Sequence, residues 1–428
     1  MKVSYFNIGC KVNFSELSQI REEFEKLGYE SVDFGEEADI VIINTCTVTA
    51  NADADSRKYI RRARRISPNA FIAVTGCYAQ LNPMDIASIA GVGAVFGMNY
   101  KFQIPKILNS SLINEPKIYC DKEIDKDFHP ACSIDNESHT RVVLKIQDGC
   151  DYYCSYCAVP YARGNSRSME YEKIFDKIKE IQEAGYYEIV LTGINLGTYK
   201  SPTGENFEDL IQALHKSDFN LRFRISSIEP ELITDKLIEI VAGSTKICPH
   251  LHIPLQSGSD EILKLMKRRY KVHYFRQLID KIYNANPNIC IGLDIITGFP
   301  GETEKEFLET YNLLEETAFS YLHVFSYSDR EITKSSKMDN KVAHSIKKER
   351  THILRALSEK KKYNFYNSQI GKELIVIPET YDKTTGLWFG WTENYVRVGF
   401  KSLNEIKYIP IQIKAVDNCI NYTKGELI

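Results

Sequence analysis

Residues 141–164 read RVVLKIQDGCDYYCSYCAVPYARG. An apolar run ends near Gln147. Three cysteines then follow in a CxxxCxxC array, Cys150, Cys154 and Cys157, with Tyr156 just before the last. Three thiols are one short of a closed tetrahedral site. Structural zinc takes four ligands, and no histidine follows within a few residues. Thiolates are the usual ligands of iron–sulfur clusters. A four-iron cluster on three cysteines leaves one iron open to a small chelating molecule. The array is predicted at the carboxyl edge of a barrel strand, where α/β sheets place their ligands.

Downstream, five more strands are predicted at YYEIVLTG (186–193), LRFRISS (221–227), HLHIPLQ (250–256), ICIGLDII (289–296) and YLHVFSYS (321–328), with helical patterns between them. Strand alternating with helix argues for parallel α/β architecture. Six such units suit a partial (β/α)6 barrel, since a full barrel needs eight. A charged helix over 345–362 follows. Then ELIVIPET, LWFGWTEN, YVRVGF and IPIQIKAV read as short strands of a small all-β barrel holding both tryptophans.

Upstream, one pattern recurs three times. KVSYFNIGC, ADIVIINTC and NAFIAVTGC are strands that end at Cys10, Cys46 and Cys77. Helical stretches follow at 14–27, through SRKYIRRARR, and through QLNPMDIASIA. This is a parallel α/β unit with a cysteine at each strand exit. A core cysteine sits more often inside a strand than at its exit, so a second three-thiol site is predicted, with zinc as the alternative occupant. Between 108 and 140 the chain is polar and aperiodic. Cys120 and Cys132 there have no spaced partner. The predicted organisation is an N-terminal cluster domain (1–118), a linker (119–138), a central domain (139–365) and a C-terminal barrel (366–428).

A chain of 428 residues with 43% apolar content supports two or three domains with real cores. Lys and Arg total 54 against 57 Asp and Glu, a net charge of −3, so no global field draws in nucleic acid. A local patch remains: RKYIRRARR carries Arg57, Lys58, Arg61, Arg62, Arg64 and Arg65. MKVSYFNIGC lacks the layout of a signal peptide, and no apolar run nears the roughly 20 residues that cross a bilayer. A cytoplasmic location is expected, with no membrane partner. Eleven cysteines in a large chain point to metal or redox chemistry rather than a disulfide framework. Cys248, Cys290 and Cys419 read as core residues. His250 and His252 alternate on one strand and face one side, either as a packed pair or as a metal pair.

CxxxCxxC with an aromatic before its last cysteine, after a first barrel strand, resembles the radical S-adenosylmethionine (SAM) enzymes. GCKVNFSE, NTCTVT, TGCYAQ, LTGINLG, ISSIEP, HLHIPLQSGS, MKRRY, DIITGFPGET and GWTENYVRV extend the likeness over nearly the whole chain and resemble the methylthiotransferases. The N-terminal motifs are most similar to the branch that modifies threonylcarbamoyladenosine at tRNA position 37. The isopentenyladenosine branch, and the branch acting on a ribosomal protein aspartate, show other residues there. One departure stands out: SYSDREITKSSKM replaces the SPRPGT-like stretch common after the last barrel strand.

The resemblance implies two 4Fe–4S clusters, one on Cys150, Cys154 and Cys157 and an auxiliary one on Cys10, Cys46 and Cys77. SAM would chelate the first, be cleaved to a 5′-deoxyadenosyl radical, and also donate methyl. Sulfur would sit on the auxiliary cluster. The implied partners are the tRNA anticodon loop and an external electron donor and sulfur source, and the small barrel would be a TRAM module. Tyr156 would lie near the adenine of SAM, Thr192 and Gly193 at its amino group, Ser226, Ser227 and Gln256 at ribose or carboxylate, and Gly298 against the adenine. Arg163 and Arg167 read as cations for SAM or an anionic substrate. Arg57, Arg61, Arg62 and Arg65 read as phosphate contacts, and Trp391 as a stacking surface. Rival expectations are modification of isopentenyladenosine or of a ribosomal protein aspartate, and a nonenzymatic metal-binding RNA partner.

Overall fold

Six parallel strands form the first sheet: β1 (Lys2–Asn7), β2 (Glu30–Val32), β3 (Ile40–Thr45), β4 (Phe71–Gly76), β5 (Val92–Phe96) and β6 (Lys117–Tyr119), in the order β2-β1-β3-β4-β5-β6. The computed structural model describes residues 1–110, 116–134, 140–402, 406 and 408–428. IVIINT of β3 is buried at every position, as a parallel strand covered on both faces must be. Its side chains alternate. Ile40 and Ile42 pack with Leu17, Ile20 and Phe24 of helix α1 (Lys11–Lys26). Val41 and Ile43 pack with Ile60 and Ala63 of helix α2 (Ala50–Ile66). The Thr49 side chain caps α2 by accepting from Ala52 N at 3.2 Å. The third helical stretch is interrupted: α3 (Cys77–Leu81) stops before Pro83, which cannot donate to a preceding turn.

Strand order reverses between β1 and β3, the kind of crevice where open α/β sheets bind ligands. Cys10 and Cys46 leave the sheet from these two strands. Cys77 joins them through Gly76, at φ +103°, where a Cβ would stand 2.3 Å from the Thr45 carbonyl oxygen. Only glycine lets β4 end this close to β3.

The segment predicted as a linker is woven into both neighbours. Its start lies in β6, and β7 (Ala131–Cys132) pairs antiparallel with β8 (Val142–Lys145). Residues 135–138 of it lie outside the described residues. The cluster loop is closed at its base by β9 (Gln147–Asp148) pairing with β10 (Arg167–Ser168). Then come β11 (Glu188–Thr192), β12 (Arg222–Ile225), β13 (His250–Gln256), β14 (Cys290–Thr297) and β15 (Tyr321–Ser326). All six strands expected of the partial barrel form, in parallel. They fall into two ladders, β8-β11-β12 and β13-β14-β15, joined by isolated bridges at Phe223–Ile247 and Ser227–His252. Leu251, Ile253, Leu293, Ile295, Leu322 and Val324 turn outward into the main core. The residues between them, including His250, His252, Asp294 and His323, turn inward.

The first domain closes the open side of this barrel. Along one edge α1 packs on β7 and β8. Along the other, Ser328 Oγ accepts from Ala50 N at 2.9 Å, while Arg330 pairs with Asp53 at 2.7 Å and donates to Thr47 Oγ1. The SYSDREITKSSKM segment therefore docks on the loop after Cys46. A buried charge cluster fastens the first edge. Glu16 of α1 accepts from Arg163 at 2.9 Å, Lys145 at 2.9 Å and Lys101 at 2.6 Å, and Arg163 also bonds Asp148 at 2.9 Å.

Helix His344–Asn367 leads to the C-terminal barrel: β16 (Glu373–Asp382), β17 (Leu387–Thr392), β18 (Arg397–Phe400), β19 (Ile411–Asn418) and β20 (Thr423–Leu427), closed in the order β16-β17-β18-β20-β19. It caps the amino end of the central barrel. Arg222 and Arg224, both bonded to Glu188, donate to the carbonyls of Ile375, Trp391, Thr392 and Glu393 at 2.9–3.0 Å. Among the described residues no helix is long and apolar enough to cross a membrane.

Candidate functional site

Each cysteine triad converges. A Cβ on Gly9 would lie 3.2 Å from Cys46 Cβ, which puts Cys10 beside Cys46. Burial first and then the charge of Cys77 push Cys46 up to about 12, and burial, with the charge of Cys10 adding to it, raises Cys77. In the second triad, burial first and then the charge of Cys154 push Cys150 up to about 11, and Cys157 also shifts upward. All eleven cysteines are free. Redox-active thiols have lowered pKa values. Cys46, Cys77, Cys150, Cys154 and Cys157 are the reverse, and a cationic metal centre is what would hold them deprotonated together. Three converging sulfurs with no fourth side-chain ligand fit an open cluster at both places.

One cavity of about 210 Å³ touches both triads. Cys77 lines it from one domain and Cys157 from the other, with Thr47, Val48, Tyr156, Gln256, Asp294, Ile296, Phe325 and Tyr327. Tyr156 is held edge-on to Phe299, ring centres 6.4 Å apart. Gln256 enters the cavity from a bulge in β13, at φ +67°. Such a strained non-glycine residue is characteristic of a site rather than of a plain strand. Thr192 and Ser226 meet at the ends of β11 and β12, their hydroxyls 3.4 Å apart. Ser227 pairs with His252 across the barrel seam.

Four expectations change. Arg163 is fully buried and bonds Glu16, Asp148 and Asn13. Arg167 donates to the carbonyls of Asp127, Arg163 and Asn165. Both arginines fasten the domains and the cluster loop, and neither lines the cavity between the triads. Gly193 lies against Gln147, whose Oε1 would be 2.7 Å from its Cβ and accepts from Ile194 N and Asn195 N. Gly298 lies against Lys347, and its N–H donates to Glu302 at 2.8 Å. Both glycines thus answer to close approach within the chain. Trp391 stacks on Tyr395 at 4.5 Å beneath Arg141, and is occupied by protein rather than free for a base. His250 and His252 do not form a pair: His250 bonds Tyr321 OH at 3.0 Å, whereas His252 and His323 both bond Asp294, at 2.9 and 3.3 Å.

Sequence reasoning missed four residues. Arg268, inside the quoted MKRRY, donates to Cys154 Sγ at 3.4 Å and to Glu229 at 3.2 Å. It is the cation nearest the second triad. Asp294 and His323 were hidden because neighbouring strands bring them together. Lys11, one residue after Cys10, stands in the interior formed where the first domain closes the barrel. Its side chain is solvent-accessible yet surrounded by protein, as expected in an open chamber, and burial followed by the charges of Arg141 and Arg224 lowers it to about 8.

The basic face of α2 survives in part. Arg57 is used by Tyr78 OH at 2.8 Å and Arg64 by the Ala70 carbonyl at 3.3 Å. Lys58, Arg61, Arg62 and Arg65 remain exposed. Replacing Arg61, Arg62 and Arg65 with Gln is expected to weaken tRNA binding and flatten its log–log salt slope by roughly 2–3 units. Titrating binding against salt checks this, and an unchanged slope would leave the run as a solvated face. The C-terminal aromatics divide differently, since Trp388 and Phe389 are buried in their own barrel.

Residues 144–314 match the Radical SAM superfamily, and residues 2–97 match a family described as uncharacterized protein family UPF0004. The chain is similar to threonylcarbamoyladenosine tRNA methylthiotransferase MtaB of Bacillus subtilis (strain 168), 39% identical over 100% of this chain and 96% of that protein. It is also similar to tRNA-2-methylthio-N(6)-dimethylallyladenosine synthase of Fusobacterium nucleatum subsp. nucleatum, 34% identical over 88% of this chain and 87% of that one. Among solved structures it resembles the radical SAM methyltransferase TsrM from Kitasatospora setae, with a TM-score of 0.56 and 14% identity over 78% of this chain and 77% of that one. That likeness is one of fold.

Proposed function

Since the chain belongs to the radical SAM methylthiotransferases, we propose that it adds a methylthio group to carbon 2 of N6-threonylcarbamoyladenosine at tRNA position 37. The observation that carries the reading is a cavity lined by one cysteine from each triad, Cys77 and Cys157. Cys150, Cys154 and Cys157 would hold a 4Fe–4S cluster that binds SAM, and Cys10, Cys46 and Cys77 a second one. When bound, these groups supply one-electron cleavage of SAM and a seat for sulfur, chemistry that an aromatic C–H without an acidic proton requires.

The residues present set the geometry. Tyr156 and Gln256 border the space left for SAM, with Thr192 and Ser226 at the adjoining strand ends. Arg268 places positive charge on Cys154, favouring its thiolate. Ile296, Phe325 and Tyr327 give the cavity an apolar wall that limits water at the reacting carbon. The target base must leave its stack to enter, and the exposed cations of α2 lie beside the Cys46 loop, where they would meet anticodon-loop phosphates. This basic surface favours RNA over a ribosomal protein as the substrate. The electron donor and the sulfur source are external.

The test is reconstituted protein with anticodon stem-loops carrying threonylcarbamoyladenosine, isopentenyladenosine or plain adenosine, followed by nucleoside mass analysis. The first is expected to be favoured by roughly 10- to 100-fold, the worth of one charged hydrogen bond. Equal methylthiolation of the first two would overturn the assignment to threonylcarbamoyladenosine.

A further inference from the structure

The chamber formed between the first domain and the inward face of the barrel holds many charges, and nearly all are matched. Glu188 is compensated by Arg222 and Arg224, and Asp294 is hydrogen-bonded by His252 at 2.9 Å and lies 3.3 Å from His323. Arg224 spends its remaining donors on the Thr392 and Glu393 carbonyls. Arg141 Nε bonds Glu379 at 2.8 Å. Arg163, Lys145 and Lys101 are consumed by Glu16, and Arg268 by Glu229.

Lys11 differs. It opens α1, directly after Cys10, and lies within electrostatic reach of Arg141, Arg224 and Glu188. Among the described residues its ammonium group forms no hydrogen bond or ion pair. A solvated cation on an outer surface needs no partner. One surrounded by protein and set directly after Cys10 is a ready-made anion site, because a ligand that displaces its water must supply a counter-charge.

We infer that Lys11 determines substrate specificity by receiving the carboxylate of the threonyl group on the target base. This rests on the methylthiotransferase reading above. Glu188, the carboxylate within electrostatic reach of Lys11, is already held by Arg222 and Arg224 and leaves the ammonium free for another. Lysine offers a compact charge with three donors on a flexible stem, suited to a carboxylate that swings on a single-bonded arm. A hydrocarbon substituent on the same base would strip water from Lys11 and give nothing back, so one residue both selects the charged substrate and rejects the uncharged one.

The test compares two stem-loops: one with threonylcarbamoyladenosine, and one in which the threonyl carboxyl is converted to its uncharged primary amide. Wild-type reconstituted protein is expected to favour the carboxylate by about 10- to 100-fold in kcat/KM. Stem-loop binding with SAM but no reductant should show the same preference. In Lys11→Met and Lys11→Gln the preference should fall to within about 2-fold of unity, and Lys11→Arg should keep most of it. Taking the ratio within each variant cancels any general loss from disturbing the neighbouring Cys10. If wild type modifies neither RNA, the proposed function fails. If wild type discriminates and Lys11→Met and Lys11→Gln discriminate equally, the function stands and the Lys11 assignment is overturned.

Discussion

Cys150→Ala is expected to abolish reductive SAM cleavage, whereas Cys46→Ala should leave cleavage running and stop methylthiolation. The two thiol sets sit on separate sheets, Cys46 at the exit of β3 and Cys150 in the loop closed by β9 and β10. Losing one ligand should therefore empty one site and spare the other. Each variant should retain about four of about eight irons after anaerobic reconstitution. Deoxyadenosine formation without RNA reads the first site, and methylthio-nucleoside in supplied tRNA reads both. Unchanged iron in Cys46→Ala would remove the auxiliary cluster from the account, and zinc in its place would leave the alternative metal standing.

Glu16→Gln is expected to be the most damaging substitution far from the cavity wall. Glu16 is buried and faces Arg163, Lys145 and Lys101 at 2.6–2.9 Å. Neutralising it leaves three buried cations to Asp148, and breaking a buried ionic set from one side costs about 3–5 kcal/mol. Burial alone would raise the Glu16 carboxyl, but Arg163, Lys101 and Lys145 outweigh it and hold the group well below its usual range. A depressed folded pKa gives stability that is present above the unfolded value of about 4.3 and is lost as pH falls through the folded one. Wild-type protein should therefore weaken below about pH 4.5, and Glu16→Gln should lose this part of the acid limb. Denaturant midpoints measured from pH 7 down to pH 3 check both. A variant as stable as wild type at pH 7 would show that the charge cluster contributes nothing net to docking.

The strands and the two thiol triads were legible because their signals are local. Apolar runs of strand length end in Gly or Cys, and CxxxCxxC is read from neighbours in the chain. Lost from view was whatever depends on how distant pieces meet. Arg163 looked available because its partner Glu16 lies 147 residues away. Strand β7 is two residues long, too short to rise above a polar background. Gln256 was legible as a polar residue at a strand end, but not the bulge that turns it into the cavity. Lys11 read as part of a motif, and its importance appears only when helix α1 is set against the barrel.

The connecting segment has a mechanical consequence. A hinge needs slack, and this one has an end tied into each of two sheets, β6 parallel to β5 and β7 antiparallel to β8. Prising the first domain away would strip α1 from β7 and β8 and expose the Glu16 charges. Opening the two halves of the reaction centre like jaws would therefore carry the cost of an uncovered charge cluster at each turnover. Delivering replacement sulfur to Cys10, Cys46 and Cys77 where they stand avoids that cost.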